Sequence, residues 1–153
     1  MTHRELCEIG ARFLIKSRNW HFRCPYVLIE FNPVNGESPD VYGLNHCNPR
    51  LIEVKVNRQD FIMDRQKQHR KEGNGIGQFR YYLCPEKLIF IDELPDKWGL
   101  LWCNEKGKIE VIKLSESFDK RNFYQELIIM QSVIRRLAGK QHLLDFRIKS
   151  NKK

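Results

Sequence analysis

The chain has 153 residues, 41% of them hydrophobic and 30% charged, with a formal net charge of +8. That length suits one domain with its own core, and the apolar fraction excludes a disordered or low-complexity chain. No apolar run approaches the ~20 residues needed to cross a bilayer, and Met1-Thr2-His3-Arg4-Glu5 does not open like a leader peptide, so a cytoplasmic protein without a membrane partner is expected. The five cysteines, at 7, 24, 47, 84 and 103, are far apart and contain no CxxC pair. Reduced thiols are therefore expected, in place of a disulfide framework or a zinc ribbon. The basic balance favours a polyanionic partner.

A first helix is predicted over 5–16, with Leu6, Ile9 and Phe13 at helical spacing. Thr2 and Glu5 stand in the relation of a capping box. Tyr26-Val27-Leu28-Ile29-Glu30-Phe31 reads as a strand ended by Asn32-Pro33-Val34-Asn35-Gly36. Two more strands follow: Val41-Tyr42-Gly43-Leu44, led by Asp40, and Leu51-Ile52-Glu53-Val54-Lys55-Val56, with a turn through His46-Cys47-Asn48-Pro49-Arg50 between them. Asn57 caps a helix running to about 71, where a glycine-rich segment over 72–77 breaks it. A strand over 79–84 stops at Pro85, and a hairpin over 100–103 and 108–114 turns at Asn104-Glu105-Lys106-Gly107. A last amphipathic helix is predicted over 118–137, with Gly139 as its C-cap. The organisation is one domain over 1–148 and a basic tail over 149–153.

Alternation along the third strand puts Glu53 and Lys55 on one face and Ile52, Val54 and Val56 on the other. With Asp40 on the neighbouring strand, two carboxylates and an amine share a face, an arrangement that suits a hard cation with a lysine beside it. The ordinary alternative is a salt-bridged pair on a solvated sheet face. The three glycines of 72–77 lack the Lys-Ser or Lys-Thr pair of a nucleotide-binding loop; a loop able to close on nucleic acid and a plain connection both remain open. Most of the strand aromatics belong to the core, with Tyr82 or Trp98 available in principle to stack on an unpaired base.

Pro39-Asp40 followed thirteen positions later by Glu53-Val54-Lys55 resembles the signature of the PD-(D/E)XK nuclease superfamily. The order helix, three strands, helix, strand over roughly 4–84 is similar to that superfamily's core as well. The resemblance implies an α/β fold with a restriction-endonuclease-like core (helix, three-strand meander, helix, strand), extended here by a C-terminal hairpin and helix. A longer resemblance, carried by the run from Glu53 to Phe61, by Asp64-Arg65, by Phe79-Arg80-Tyr81-Tyr82-Leu83, by Leu94-Pro95 and by Trp98-Gly99-Leu100, is to the MmcB-like DNA-repair branch and related phage or mobile-element proteins.

The function so implied is metal-dependent hydrolysis of DNA phosphodiester bonds, in repair or in phage and mobile-element DNA processing. Asp40, Glu53 and Lys55 would be catalytic, and Asp40, Glu53 and Glu30 would hold Mg²⁺, with Mn²⁺ able to substitute. Glu5, Gln66, Gln68 and His69 are candidate accessory residues, although Glu5 could simply cap its helix and Glu30 could be a surface acid. Arg58, Arg65, Lys67, Arg70, Lys71 and Arg80 are candidate nucleic-acid contacts. DNA is the expected partner, with RNA, a homodimer and a targeting protein left open. The competing reading is a catalytically silent or partner-dependent nucleic-acid-binding protein that retains the nuclease fold.

Overall fold

Strand alternation sorts side chains onto the two faces of a sheet, and a sheet covered on both faces must be apolar on both. This chain satisfies that demand with six strands and three α-helices among its described residues. The computed structural model of the chain describes residues 1–33, 36–67, 70 and 73–146. In chain order the elements are α1 (His3–Lys16), β1 (Tyr26–Ile29), β2 (Val41–Leu44), β3 (Arg50–Val54), α2 (Arg58–Asp64), β4 (Phe79–Pro85), β5 (Gly99–Cys103), β6 (Ile109–Lys113) and α3 (Phe123–Ala138). The strands lie side by side in that order. β1, β2 and β3 form an antiparallel meander, β4 runs parallel to β3 and β5 parallel to β4, and β6 returns antiparallel. No described helix is long and apolar enough to cross a membrane.

α1 covers one face. Its Leu6, Cys7, Ala11 and Leu14 pack with Val41, Ile52, Val54, Leu83 and Leu101. The other face carries Tyr42, Leu51, Tyr82 and Leu100, packed under Phe61 of α2, Ile129 of α3 and the buried rings of Trp98 and Phe118. The helix starts form as local chemistry dictates. Thr2 Oγ1 accepts from the Glu5 amide at 3.2 Å while Glu5 Oε2 accepts from the Thr2 amide at 2.6 Å, closing the expected capping box. Asn57 Oδ1 accepts from the Asp60 amide at 2.9 Å. All five cysteines are free, and only Cys47, in the β2–β3 turn, is exposed.

The structure revises several boundaries, and β3 ends at Val54, which leaves Lys55 and Val56 just beyond the expected strand. β1 stops at Ile29 because Glu30 takes a left-handed backbone (φ 46°). α2 ends at Asp64, with the chain continuing in tighter i→i+3 bonds, Lys67 N–H to Asp64 O and Arg70 N–H to Lys67 O, each 3.0 Å. α3 begins at Phe123, five residues later than its apolar spacing suggests. Phe118, which that spacing counted as helical, is instead a buried plug in an extended segment, its amide bonded to Gln78 O at 2.8 Å. Asn122 caps α3 through the Gln125 amide at 3.0 Å. The basic tail lies outside the described residues.

Gly43 lets α1 approach β2. A Cβ there would stand 2.6 Å from Cys24 Sγ and 2.8 Å from Leu14 Cδ1. Gly43→Ala is therefore expected to destabilise the fold by about 1–3 kcal/mol through overpacking, read as a lowered urea midpoint with an unchanged slope.

Candidate functional site

Register brings the two motif carboxylates together. Val41 faces Ile52 across the β2–β3 pair, so one more step places Asp40 opposite Glu53. Asp40 does not sit loose at the strand entrance: its Oδ2 accepts the Val54 amide at 2.8 Å. An N–H and C=O of one strand residue point to the same side, so the Val54 carbonyl is turned toward β2 as well. Lys55 follows the end of β3, and its amide is bonded to Leu83 O of β4 at 2.9 Å. These groups line a cleft of about 780 Å³ together with His3, Asp64 and Arg70.

The cleft floor is a buried network of opposite charges. Lys55 Nζ lies 3.3 Å from Asp64 Oδ1 and 3.7 Å from Glu53 Oε2. The Arg70 guanidinium donates to Asp64 through Nε and Nη2 at 2.7 and 2.8 Å, to Glu37 at 2.8 Å, and meets Glu53 Oε2 at 2.8 Å. Tyr82 donates its hydroxyl to Asp64 Oδ2 at 2.8 Å. Lys67 reaches Asp64 from the solvent side at 3.0 Å. Glu53 Oε1, by contrast, is buried and has no hydrogen-bond partner among the described residues.

Electrostatics separates the two central acids. Burial pushes Glu53 up to about 8, opposed by Arg70 and Lys55 and reinforced by the charges of Asp40 and Asp64. Burial acts in the same direction on Asp64, but the Arg70 hydrogen bonds and charge, Lys55 and Tyr82 outweigh it and hold that carboxyl well below the usual range. Arg70 is itself held charged: burial disfavours the cation, and Glu53 and Asp64 more than compensate.

The other sequence-derived candidates fall into three groups. Glu5 is engaged in the α1 capping box and does not line the cleft. Glu30 sits at the end of β1 against Arg4 Nη1 at 2.7 Å and His3 Nδ1 at 3.6 Å, with His3 Nε2 in turn 3.3 Å from Asp40 Oδ1. Gln66 is exposed beyond α2, and Gln68, His69 and Lys71 lie outside the described residues.

The basic candidates divide. Arg58 is exposed but paired with Glu93 and the Leu88 carbonyl, Arg65 donates to the Glu93 carbonyl at 3.2 Å, and Lys67 is half-exposed at the cleft rim. Two expected nucleic-acid contacts are corrected. Arg80 is wholly buried, donating to the Gly77 and Gly75 carbonyls at 3.0 Å with its guanidinium 3.9 Å above the Phe118 ring. It anchors the glycine segment from inside, so the described part of that segment is a pinned connection. Arg70 is buried, and its guanidinium is engaged by three carboxylates, Glu37, Glu53 and Asp64, so it serves the cleft as an internal bridge. Tyr82 and Trp98 are also buried, stacked on each other at 4.5 Å, which removes both as base-stacking surfaces.

Asp64, Glu37 and His3 belong to the site and were not among its sequence candidates. Asp64 carries a faint signal: it lies three residues after Phe61, on the buried face of α2. Glu37 and His3 carry none, because their roles depend on partners far along the chain.

No family model matches the chain, and no curated protein does. A solved structure is similar over almost the full length: a protein of unknown function from Silicibacter pomeroyi, 20% identical, with a TM-score of 0.61 and 96% of this chain and 99% of that one covered. The likeness defines a class by fold alone, a mixed α/β protein.

Two outcomes follow from the charge network. Removing the guanidinium with Arg70→Met is expected to cost about 3–5 kcal/mol, because it strands buried carboxylates, a loss visible in urea denaturation. Glu53 gives a pH signature. Its folded-state pKa of about 8 exceeds the ordinary 4.5, so the folded protein keeps a proton that the unfolded chain has released between those values. Stability contributed by this group is full below about pH 4.5 and is lost as pH rises toward 8. Glu53→Gln should flatten that part of the profile relative to wild type, checked by denaturation at pH 5, 7 and 9.

Proposed function

We propose that the chain is a metal-dependent nuclease that hydrolyses DNA phosphodiester bonds, built on a restriction-endonuclease-like core. The observation that carries this reading is the Asp40 carboxylate bonded to the amide of Val54, the middle residue of Glu53-Val54-Lys55. It joins the two halves of the motif in one cleft. The element order and pairing support it too: a helix, an antiparallel meander, a helix crossing over, and a fourth strand parallel to the third.

The donor set fits a hard divalent cation. Asp40 offers a carboxylate, Glu53 a buried oxygen without a partner among the described residues, and Val54 a carbonyl on the same side. All are oxygen ligands of the kind that Mg²⁺ or Mn²⁺ takes. Such a cation supplies Lewis acidity, polarising a phosphoryl oxygen and easing ionisation of a water. The chain's own contribution is positioning. Asp64 and Glu53 hold the Lys55 ammonium at the cleft floor, where it meets negative charge developing on a phosphate or orients the attacking water. Arg70 fixes both carboxylates so that Lys55 has one geometry. The net charge of +8 favours a polyanionic partner for the chain as a whole, and half-exposed Lys67 stands at the cleft rim.

One observation favours a second reading, a nucleic-acid-binding protein that is silent or needs a partner. Arg70 and Lys55 both occupy Glu53 Oε2, and burial favours the protonated form of that acid. Tight, salt-sensitive DNA binding without a metal-dependent product would select it.

Cleavage of single-stranded, duplex and branched DNA with Mg²⁺, Mn²⁺ or EDTA tests the proposal. Metal-dependent cutting is expected, reduced about 100-fold or more in Lys55→Ala and abolished in Asp40→Asn, with unchanged circular dichroism in both variants. Full cutting by both variants would sink it.

A further inference from the structure

We propose that His3, Cys7 and Glu30 form a second cation site beside the Asp40 cleft, one suited to a borderline-soft divalent metal such as Zn²⁺. Their ligand atoms all lie within 4.8 Å of one another. His3 and Cys7 are four residues apart on α1, so they share a helix face. Glu30 comes to them from the end of β1.

The two spacings from His3 match coordination, and Cys7 Sγ and the Glu30 carboxylate lie within 4.8 Å of each other. A tetrahedral ion with bonds of about 2.1 Å to nitrogen and about 2.3 Å to sulfur sets those donors about 3.6 Å apart. The separation from His3 Nδ1 to Cys7 Sγ is 3.6 Å, and from His3 Nδ1 to Glu30 Oε1 also 3.6 Å. One ring nitrogen therefore faces both other donors. The second ring nitrogen, Nε2, faces Asp40 Oδ1 at 3.3 Å. Metal-bound histidines characteristically give their other N–H to a carboxylate, which fixes tautomer and ring orientation.

Glu30 is held for this task from two sides. Its amide is bonded to Asp40 O at 2.7 Å and its Oε2 is taken by Arg4 Nη1 at 2.7 Å, which leaves Oε1 toward His3. Its left-handed φ of 46° is an uncommon conformation for a non-glycine residue, of the sort held at functional positions. Thiolate, imidazole and carboxylate together select zinc-like ions over magnesium. On binding, the Cys7 thiol releases its proton to solvent and its sulfur lone pair forms the metal bond. His3 also lines the main cleft, so a metal on Nδ1 orients the Nε2–H toward Asp40 and couples the two sites.

Cobalt(II) titration of the full chain tests this. One equivalent should bind with a thiolate-to-cobalt charge-transfer band, a feature that a carboxylate-only cleft cannot produce. Cys7→Ser should abolish the band, and Glu30→Gln, at a partly exposed position where misfolding is not at issue, should weaken binding about tenfold or more. Absence of a thiolate band in wild type overturns the proposal. So does a band that survives Cys7→Ser and disappears in Cys47→Ser, which would place the ligand on the exposed thiol. Lys55→Ala should keep the band, so failure of the nuclease reading and failure of this one are distinguishable.

Discussion

A single buried guanidinium organises one end of this sheet. Arg70 bridges Glu37, Glu53 and Asp64, which arrive from the β1–β2 connection, from β3 and from α2. Without it three carboxylates would share a low-dielectric pocket, and the cost of burying unpaired charge is the largest penalty a site of this kind faces. The network also lies over Trp98, whose ring is 5.3 Å from the guanidinium carbon, so charge pairing and aromatic packing share one side chain. Such a pair rarely adds net stability over an apolar substitute. Here the guanidinium holds three acids close together at the floor of the cleft.

The second constraint is the Asp40 side chain standing in for a strand. β2 begins only at Val41, yet the amide of Val54 is satisfied because Asp40 Oδ2 accepts it. A backbone donor and an acidic side chain thus fix one another on the β3 side of Asp40. The same residue ties two neighbourhoods together: its carboxylate oxygens face Val54 on one side and His3 on the other, and its carbonyl receives the Glu30 amide. One residue therefore sets the position of both acids flanking it.

What was legible in the sequence was local. The Thr2–Glu5 capping box, the Asn57 cap, the alternation in β2 and β3 and the pairing of Asp40 with Glu53-Val54-Lys55 are read within a few residues or across one short hairpin. What was not legible depends on distance. Arg70 belongs to a basic stretch, which carries no information about which member turns inward, and Arg80 is the lone charge of an aromatic strand, where the residue type alone suggests a solvent-facing position. That choice was made by Glu37, thirty-three positions before Arg70, and by the carbonyls and ring that enclose Arg80. Phe118 misled in the same way: its apolar character was real, but a ring filling a hole under Arg80 and Trp98 keeps no helical phase. His3 could not be found because its meaning depends on a left-handed turn at Glu30.

The distribution of thiols has a practical consequence. Four of the five cysteines are buried, and Cys47 alone is exposed. It sits in the turn joining β2 to β3, at the opposite end of those strands from Asp40 and Glu53. At about 3.3 Å per residue a strand of four or five residues separates them by roughly 15 Å. The native chain thus carries a single addressable anchor for a fluorophore, a spin label or a surface tether, placed so that the probe reports on the molecule without standing in its cleft.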